Sequence, residues 1–410
     1  MAMKMAISFR SEFPRLTLLC KWDCGWYESI ARQGYRSPVP PLFQNSEESN
    51  VAFFPAYPTL GRWLGKLLDI PFGAALPLVS ILSAFIFSWI FSRFLARETE
   101  GSQRIRFVLL LGYPATFYLL VSYSEALYLL GTFGVLYFAL DAMASGAAGV
   151  GPKIGRIALL AAPFAFGVLL GGTRLTGFLM PGFLALGAIV YAWPQLRSGV
   201  RRYIDEARMK RTLPGAIGAV IGILGFFTYC AIRFGQWNMY FQQLRIGWYK
   251  EFSPAKALYI AFHPPQGFEP SFVSFLGNTR AMSWLIVNTM IILLTYASVR
   301  AVASAVRFYR LRSFGDFIRC VLVWGAAVHF FIVICGDVGP WDYWGNGMRY
   351  SMPSVYLLAA LWRDEWTPAP IRERLLWRRV AIACVFAIAI LGFAIEVEYI
   401  GRFIRNEWVS

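Results

Sequence analysis

Ten apolar runs dominate the chain, at 71–92, 107–124, 126–141, 157–173, 175–193, 214–232, 281–299, 319–336, 350–362 and 380–396. A membrane helix needs about 20 mainly apolar residues. Nine runs approach that length, and the short run 350–362 reads as a tilted or partly buried span. The composition agrees. Of 410 residues, 57% are hydrophobic and only 15% charged, against roughly 25% charged in an ordinary soluble domain. Mean hydropathy is +0.51. These values exclude a soluble globular enzyme, a disordered chain and a disulfide-stapled secreted domain. The reading is one all-α polytopic membrane domain over 1–410, with about ten transmembrane helices.

Charge fixes the expected orientation. The chain has 39 basic and 23 acidic residues, net +16. Twenty-two of the 39 lie in alternate loops, around Arg93–Arg106, Lys153–Arg156, Arg197–Arg211, Arg300–Arg319 and Arg363–Arg379. Lys and Arg mark cytoplasmic loops. The basic residues fall between apolar runs rather than in one patch, so no nucleic acid is expected. The opposite, extracytoplasmic side then receives the first loop 22–70, the turn 122–125, the large loop 233–280, the loop 337–349 and the C-terminal tail. These segments are rich in Trp, Tyr, Phe, Pro and Gly. Long aromatic loops gathered on one face point to a site there. Lys4, Arg10, Glu12 and Arg15 interrupt any signal-peptide core.

Six cysteines are scattered, and only Cys20 and Cys24 are close together. Without His or a second Cys pair beside them a zinc site is not expected. His329 sits in an apolar run and reads as a packed helix residue.

Five clusters carry chemical potential. Trp22-Asp23-Cys24-Gly25-Trp26-Tyr27 opens an expected interfacial helix over 22–33, with Asp23 one turn before Tyr27. A carboxylate among aromatics is inclined to a raised pKa and can serve as a general base toward a hydroxyl. It reads equally as a helix N-cap. Asn50-Val51-Ala52-Phe53-Phe54-Pro55-Ala56-Tyr57-Pro58 reads as a stiff interfacial segment. Pro114 is expected to kink its helix, and Glu125, after Tyr123-Ser124, sits in the turn between two spans. Glu125 is either a functional carboxylate or an exposed turn residue or cap. Arg174, after Gly171-Gly172-Thr173, must meet an anion, a lipid headgroup or a carboxylate such as Glu125. Its planar fork suits phosphate. Arg349-Tyr350, before Pro353, offers a second phosphate ligand or a lipid-headgroup contact, with Asp337 and Asp342 as spare carboxylates nearby. The loop 233–280 adds Trp237, Trp248 and Tyr249 and reads as an interfacial helix over a cavity.

The motifs Trp22-Asp23-x-x-Trp26-Tyr27-x-x-Ile30-Ala31-x-x-Gly34-Tyr35 and Asn50-Val51-x-Phe53-Phe54-Pro55-x-Tyr57-Pro58 resemble the PIG-V-like mannosyltransferase family, that of GPI mannosyltransferase 2 and its bacterial relatives. Tyr113-Pro114, Tyr123-Ser124-Glu125, Thr173-Arg174-x-x-Gly177 and Arg349-Tyr350-x-x-Pro353 follow in the family's order, from about residue 22 to 360. The resemblance implies a GT-C glycosyltransferase fold with its site facing away from the cytoplasm. It implies a polyprenyl- or dolichyl-phosphate sugar donor, usually mannose, and a lipid-linked or protein acceptor. It maps the catalytic base to Asp23 and places Trp22, Tyr27, Tyr35, Asn50, Tyr57, Glu125, Arg174, Arg349 and Tyr350 around the substrates. No metal or other cofactor is expected. Two departures stand out. The family begins with a membrane helix before the Trp-Asp motif, whereas residues 1–21 are short and charged, so a first helix is expected to be lost or to precede the sequence. Eukaryotic members often carry His where Trp26 stands, which favours the bacterial branch and a plasma-membrane location, the alternative for a eukaryotic chain being the endoplasmic reticulum membrane. The rival class is a lipid-sugar flippase, which would place ionisable groups near mid-membrane. The spans here are almost free of them.

Overall fold

The computed structural model describes residues 14–36, 49–95, 100–141, 152–197, 209–265, 278–311, 313–338, 343–368, 371 and 375–407. Among them the secondary structure is helical. After a single helical turn at Pro14–Thr17, two short helices lie ahead of the first long one: α1 (Asp23–Gln33) and α2 (Ala56–Leu68). Six helices follow, α3 (Phe72–Leu95), α4 (Glu100–Leu111), α5 (Glu125–Leu136), α6 (Pro152–Gly171), α7 (Leu179–Arg197) and α8 (Met209–Phe234). Two short helices, α9 (Met239–Ile246) and α10 (Pro254–Phe262), lead to α11 (Thr279–Arg310), α12 (Phe314–Gly336), α13 (Gly347–Leu361) and α14 (Leu375–Arg405). The all-α polytopic class is therefore observed.

Six helices among the described residues are long and apolar enough to cross a membrane: Phe72–Leu95, Leu175–Trp193, Thr212–Phe234, Thr279–Arg310, Phe314–Gly336 and Leu375–Arg405. They account for six of the ten expected runs. The segments Glu125–Leu140 and Leu160–Gly171 form shorter apolar helices. The run 350–362 falls in α13, which is largely buried in the bundle. The run 107–124 is corrected. Helix α4 stops at Leu111, and the chain turns through Gly112–Ala115 into the 3-10 turn Thr116–Leu119. Pro114 has no N–H to give and crowds the preceding turn, so it ends the helix instead of kinking it.

Lipid-exposed flanks and a close-packed interior coexist. Phe85, Trp89, Ile232, Ile292 and Ile390 lie exposed on the long helices, as bilayer-facing side chains do, while Phe87, Phe91, Phe133 and Tyr356 pack in one aromatic cluster inside. Helices α6 and α8 meet along glycines. A Cβ on Gly167 or Gly171 of α6 would overlap the carbonyls of Gly215 or Ala219, and one on Gly218 or Gly222 of α8 would overlap those of Phe164 or Val168. In lipid, small residues at such spacing let helix backbones touch, replacing the hydrophobic drive that water would supply.

The helix ends sort into two sets. Ser80 of α3 donates to the Tyr123 carbonyl at 3.0 Å, Ala56 N–H to the Gly172 carbonyl at 2.8 Å, and Tyr113 to the Met348 carbonyl at 2.6 Å. The start of α3, α5 and α13 and the end of α4 and α6 thus share one end of the bundle. At the other end Arg363, just after α13, binds Asp316 at the start of α12 at 2.6 Å, and Arg307 near the end of α11 lies 3.7 Å from Glu365.

Candidate active site

Four charged side chains from four remote segments meet at the first end. Asp23 is the first residue of α1. Its Oδ2 accepts from Nη1 of Arg349 at 2.8 Å. Arg349 lies in the first turn of α13, and its Nε is 3.3 Å from Oε1 of Glu125. The same Oε1 is the ion-pair partner of Nη2 of Arg174. The chain of charges therefore runs Asp23–Arg349–Glu125–Arg174, two carboxylates alternating with two guanidiniums. Removing such groups from water is costly unless each is paired and hydrogen-bonded, and the alternation supplies that pairing.

Local sequence explains each placement. Glu125 begins α5, where a carboxylate meets the positive end of the helix dipole. It is fully buried rather than an exposed turn residue. Its Oε2 has no hydrogen-bond partner among the described residues. Arg174 has extended backbone between α6 and the 3-10 turn Leu175–Phe178. Thr173 holds that exit by donating to the Leu169 carbonyl at 2.6 Å. Ser124 joins the pieces: it accepts from Nε of Arg174 and from the Tyr27 hydroxyl, both at 3.2 Å. Burial, with Asp23 and then Glu125 adding to it, pushes the Tyr27 phenol well above its ordinary range, so it stays a donor. Burial opposes the Arg174 charge most strongly, but Glu125, Tyr27 and Tyr350 together hold the guanidinium pKa above its usual value.

Aromatic rings wall the cluster. The Arg349 guanidinium carbon lies 4.8 Å from the ring centre of Tyr123, 4.9 Å from Tyr350 and 5.7 Å from Tyr118. Its Nη2 also donates to the Tyr350 hydroxyl at 3.2 Å. Arg174 lies 5.6 Å from Tyr128 and 5.8 Å from Tyr350. Each such contact is worth about 0.5–2 kcal/mol, most where water is excluded.

A third cation was not picked out from the sequence. Lys250 lies 6.0 Å from the Tyr350 ring and pairs with the buried Asp337. Asp337 also accepts from the Asn346 backbone N–H at 2.8 Å. Burial lowers the lysine pKa, but Asp337 and Tyr350 together more than offset it, so Lys250 stays an ammonium. Tyr249, at φ 50°, turns the chain sharply before it. Trp248 thereby meets Trp26 at 5.8 Å and Phe53 at 5.4 Å between ring centres. The only hint in the sequence was a cation after the Trp248-Tyr249 pair. A second missed feature is the disulfide between Cys20 and Cys24, which brackets Asp23. Its hint was a four-residue cysteine spacing in a loop expected to face an oxidising compartment.

Other expected site residues stand apart from the charges. Asn50 ties the end of α1, accepting from Arg36 N–H at 3.2 Å and donating to the Ser29 hydroxyl at 3.1 Å. Tyr35 donates to the Phe53 carbonyl at 2.7 Å. Tyr57 donates to the Leu76 carbonyl at 2.8 Å and packs edge-on against Tyr27. Trp22 is partly exposed on the loop before Asp23. Trp341, Asp342, residues 1–13 and 266–277 of the large loop lie outside the described residues. His329 is buried and 3.1 Å from the Ser354 hydroxyl. No group of three or more potential metal ligands occurs among the described residues.

A cavity of about 910 Å³ lies between α1, α2, α6 and α8, and none of the four charged residues lines it. Its walls include Ile30, Ala56, Val168, Gly172 and Phe226, with Arg62 and Lys66 on the α2 side.

No protein-family model matches the chain, and no curated protein matches it. Three solved structures are similar over nearly its whole length. ArnT from Cupriavidus metallidurans in the apo state is 14% identical, covering 98% of this chain and 78% of that one, with a TM-score of 0.48. The same protein bound to undecaprenyl phosphate is 14% identical over 99% and 78%, with a TM-score of 0.49. The Archaeoglobus fulgidus oligosaccharyltransferase, tethered with an acceptor peptide through a disulfide, is 15% identical over 96% and 55%, with a TM-score of 0.41.

Proposed function

We propose that this chain is a GT-C-type membrane glycosyltransferase acting at the extracytoplasmic face of the plasma membrane. It would move a sugar, mannose by the sequence resemblance, from a polyprenyl- or dolichyl-phosphate carrier to a hydroxyl of a lipid-linked glycan or a protein. The observation that carries this reading is the Asp23–Arg349–Glu125–Arg174 chain at one end of the bundle, with Arg349 and Glu125 buried and Asp23 and Arg174 partly accessible. It puts a carboxylate within reach of two guanidiniums, and Lys250 contributes a third cation beside Tyr350.

In the step, the acceptor oxygen attacks the anomeric carbon while the bond from that carbon to the phosphate oxygen breaks. The acceptor proton passes to Asp23, and the carrier leaves as its phosphate. Inversion at the anomeric carbon follows from this single displacement. Arg349 and Arg174 stabilise the charge that grows on the departing phosphate. An entering phosphate competes with Asp23 for Arg349, which loosens the ion pair and frees the carboxylate to take the proton. Glu125 orients both arginines through one oxygen, and its unpartnered oxygen suits a sugar hydroxyl. The apolar cavity beside α1 suits the isoprenoid tail, and Tyr27, Trp26 and Phe53 offer ring faces to a sugar. Trp22, Tyr35, Asn50 and Tyr57 act from further back, holding the segments that carry these groups.

The test uses the purified chain in detergent, supplied with polyprenyl-phosphate mannose and crude membrane lipids. Wild type should move mannose to a new lipid or protein, and Asp23→Asn should lower the rate by about 10²–10⁴, the usual contribution of a general base. Undiminished transfer by the mutant would remove Asp23 from the chemistry. No transfer by the wild type, together with carrier crossing in vesicles, would favour the flippase.

A further inference from the structure

Asp23 is held from both sides by chain constraints that the proposed chemistry does not itself require. Cys20 and Cys24 are joined, with their Cα atoms 5.1 Å apart, and so close a small ring of backbone around Lys21, Trp22 and Asp23. Inside that ring Trp22 adopts φ 56°, a conformation that favours glycine. Such a residue persists only where its surroundings enforce it. Without the cross-link the segment is free to relax to negative φ, which would swing the next residue, Asp23, away from its present direction.

The ring is also tied to the other carboxylate. The Leu19 carbonyl, one residue before the ring, accepts from the Ser122 N–H at 3.1 Å. Ser122 lies in the turn that delivers Ser124 and Glu125. Lys21 donates to the Ile404 carbonyl at the end of α14, at 3.2 Å. Cys24 is fully buried against α1's neighbours. The cross-linked loop therefore fixes Asp23 relative to the turn bearing Glu125 and, through both, to Arg349.

We propose that the Cys20–Cys24 disulfide positions the Asp23 carboxylate, so that the site works at full rate only when oxidised. The two cysteines are positioning residues and touch no substrate. This rests on the transferase reading for its kinetic consequence but not for its structural one. Dithiothreitol would reduce the bond, yielding two cysteine thiols and the cyclic disulfide of the reagent, a balanced two-electron, two-proton exchange. It is the one disulfide among the described residues; Cys230, Cys320, Cys335 and Cys384 are free thiols.

The experiment takes the full chain in detergent, oxidised, reduced with dithiothreitol, and reoxidised with diamide, alongside Cys20→Ser/Cys24→Ser. Alkylation of the unreduced protein under denaturing conditions should leave Cys20 and Cys24 unlabelled. Hydrogen–deuterium exchange should rise on reduction in 18–27 and 120–126 and stay unchanged in the long helices. Turnover with polyprenyl-phosphate mannose should fall about 10- to 100-fold, the scale of a misplaced reacting group, with the carrier KM within about twofold and with recovery on reoxidation. Labelling of Cys20 or Cys24 in the unreduced protein would overturn the proposal. So would unchanged local exchange, an equal rise throughout the chain, or full turnover after reduction. If the wild type transfers nothing, the transferase reading fails and the exchange data alone decide whether the disulfide holds Asp23.

Discussion

Helix α13 carries an arginine–carboxylate cluster near each of its ends, and the two differ in almost everything but composition. At its start Arg349 joins Asp23 and Glu125, with side-chain exposures of 7%, 13% and 0%, and Arg174 on its edge is 21% exposed. Beyond its end Arg363 joins Asp316 and Glu365, with exposures of 20%, 37% and 32%, and Arg307 on the rim is 65% exposed. The second cluster is a clip. Arg363 gathers the start of α12 and the 3-10 turn Asp364–Trp366, and its guanidinium rests 4.4 Å from the Phe308 ring. Water and salt screen it, so its net contribution is small. The first cluster is walled by tyrosines and holds Arg349 and Glu125 at a desolvation cost. A fold that needed only to clip helices would gain little from such an arrangement. Fixed charges in a dry, preformed site are what stabilise a changing charge on a substrate.

The sharpest break of this comparison is Arg349→Ala. It leaves Asp23 and Glu125 buried without their shared cation, and should cost about 3–5 kcal/mol of stability along with nearly all transfer. Thermal unfolding in detergent and the transfer rate report the two losses; retention of both would place this cluster in the same class as the clip. Glu125→Gln keeps the shape but removes the counterion of two arginines, and should lower kcat by about 10²–10³. That change should appear in single-turnover rates while donor binding persists. Lys250→Met should raise the carrier KM about tenfold, equivalent to about 1.4 kcal/mol, with kcat within about twofold. A large kcat loss instead would put Lys250 in the chemistry rather than in phosphate binding. The mildest change is Arg363→Ala, expected to cost about 0–1 kcal/mol and to leave transfer unchanged in a salt titration. A larger loss would show that the exposed cluster holds the bundle more firmly than its solvation allows.

Much of the architecture was legible because it follows from one dimension of the sequence. Apolar length marked the six long helices, and Asp23, Glu125, Arg174 and Arg349 stood out as the rare charges flanking apolar runs. The interfacial helix expected over 22–33 appears as Asp23–Gln33. The break at Pro114 is not legible, because hydropathy does not register that Gly112 and Pro114 together end a helix. The partners of Arg349 were hidden for another reason: Asp23 is 326 residues away in sequence, and no local pattern encodes a contact of that range. Lys250 was overlooked because one lysine in a long loop carries no periodic signal. The same holds for the cysteine pair, since a spacing of four says nothing of whether two thiols can meet.

The sequence alone determined that this chain lives in a bilayer, because a lipid environment forces apolar length and internally satisfied backbone, both written residue by residue. It also determined which few ionisable groups sit at the ends of the spans, since charge is excluded from the interior. Only the tertiary structure decided that Asp23, Glu125, Arg174 and Arg349 form one chain of ion pairs around a buried Glu125 and Arg349, while Asn50, Tyr35 and Tyr57 serve as braces. Coulomb pairing depends on distances of a few ångströms, and those are set by glycine-packed helices, a terminated α4 and a cross-linked turn acting together.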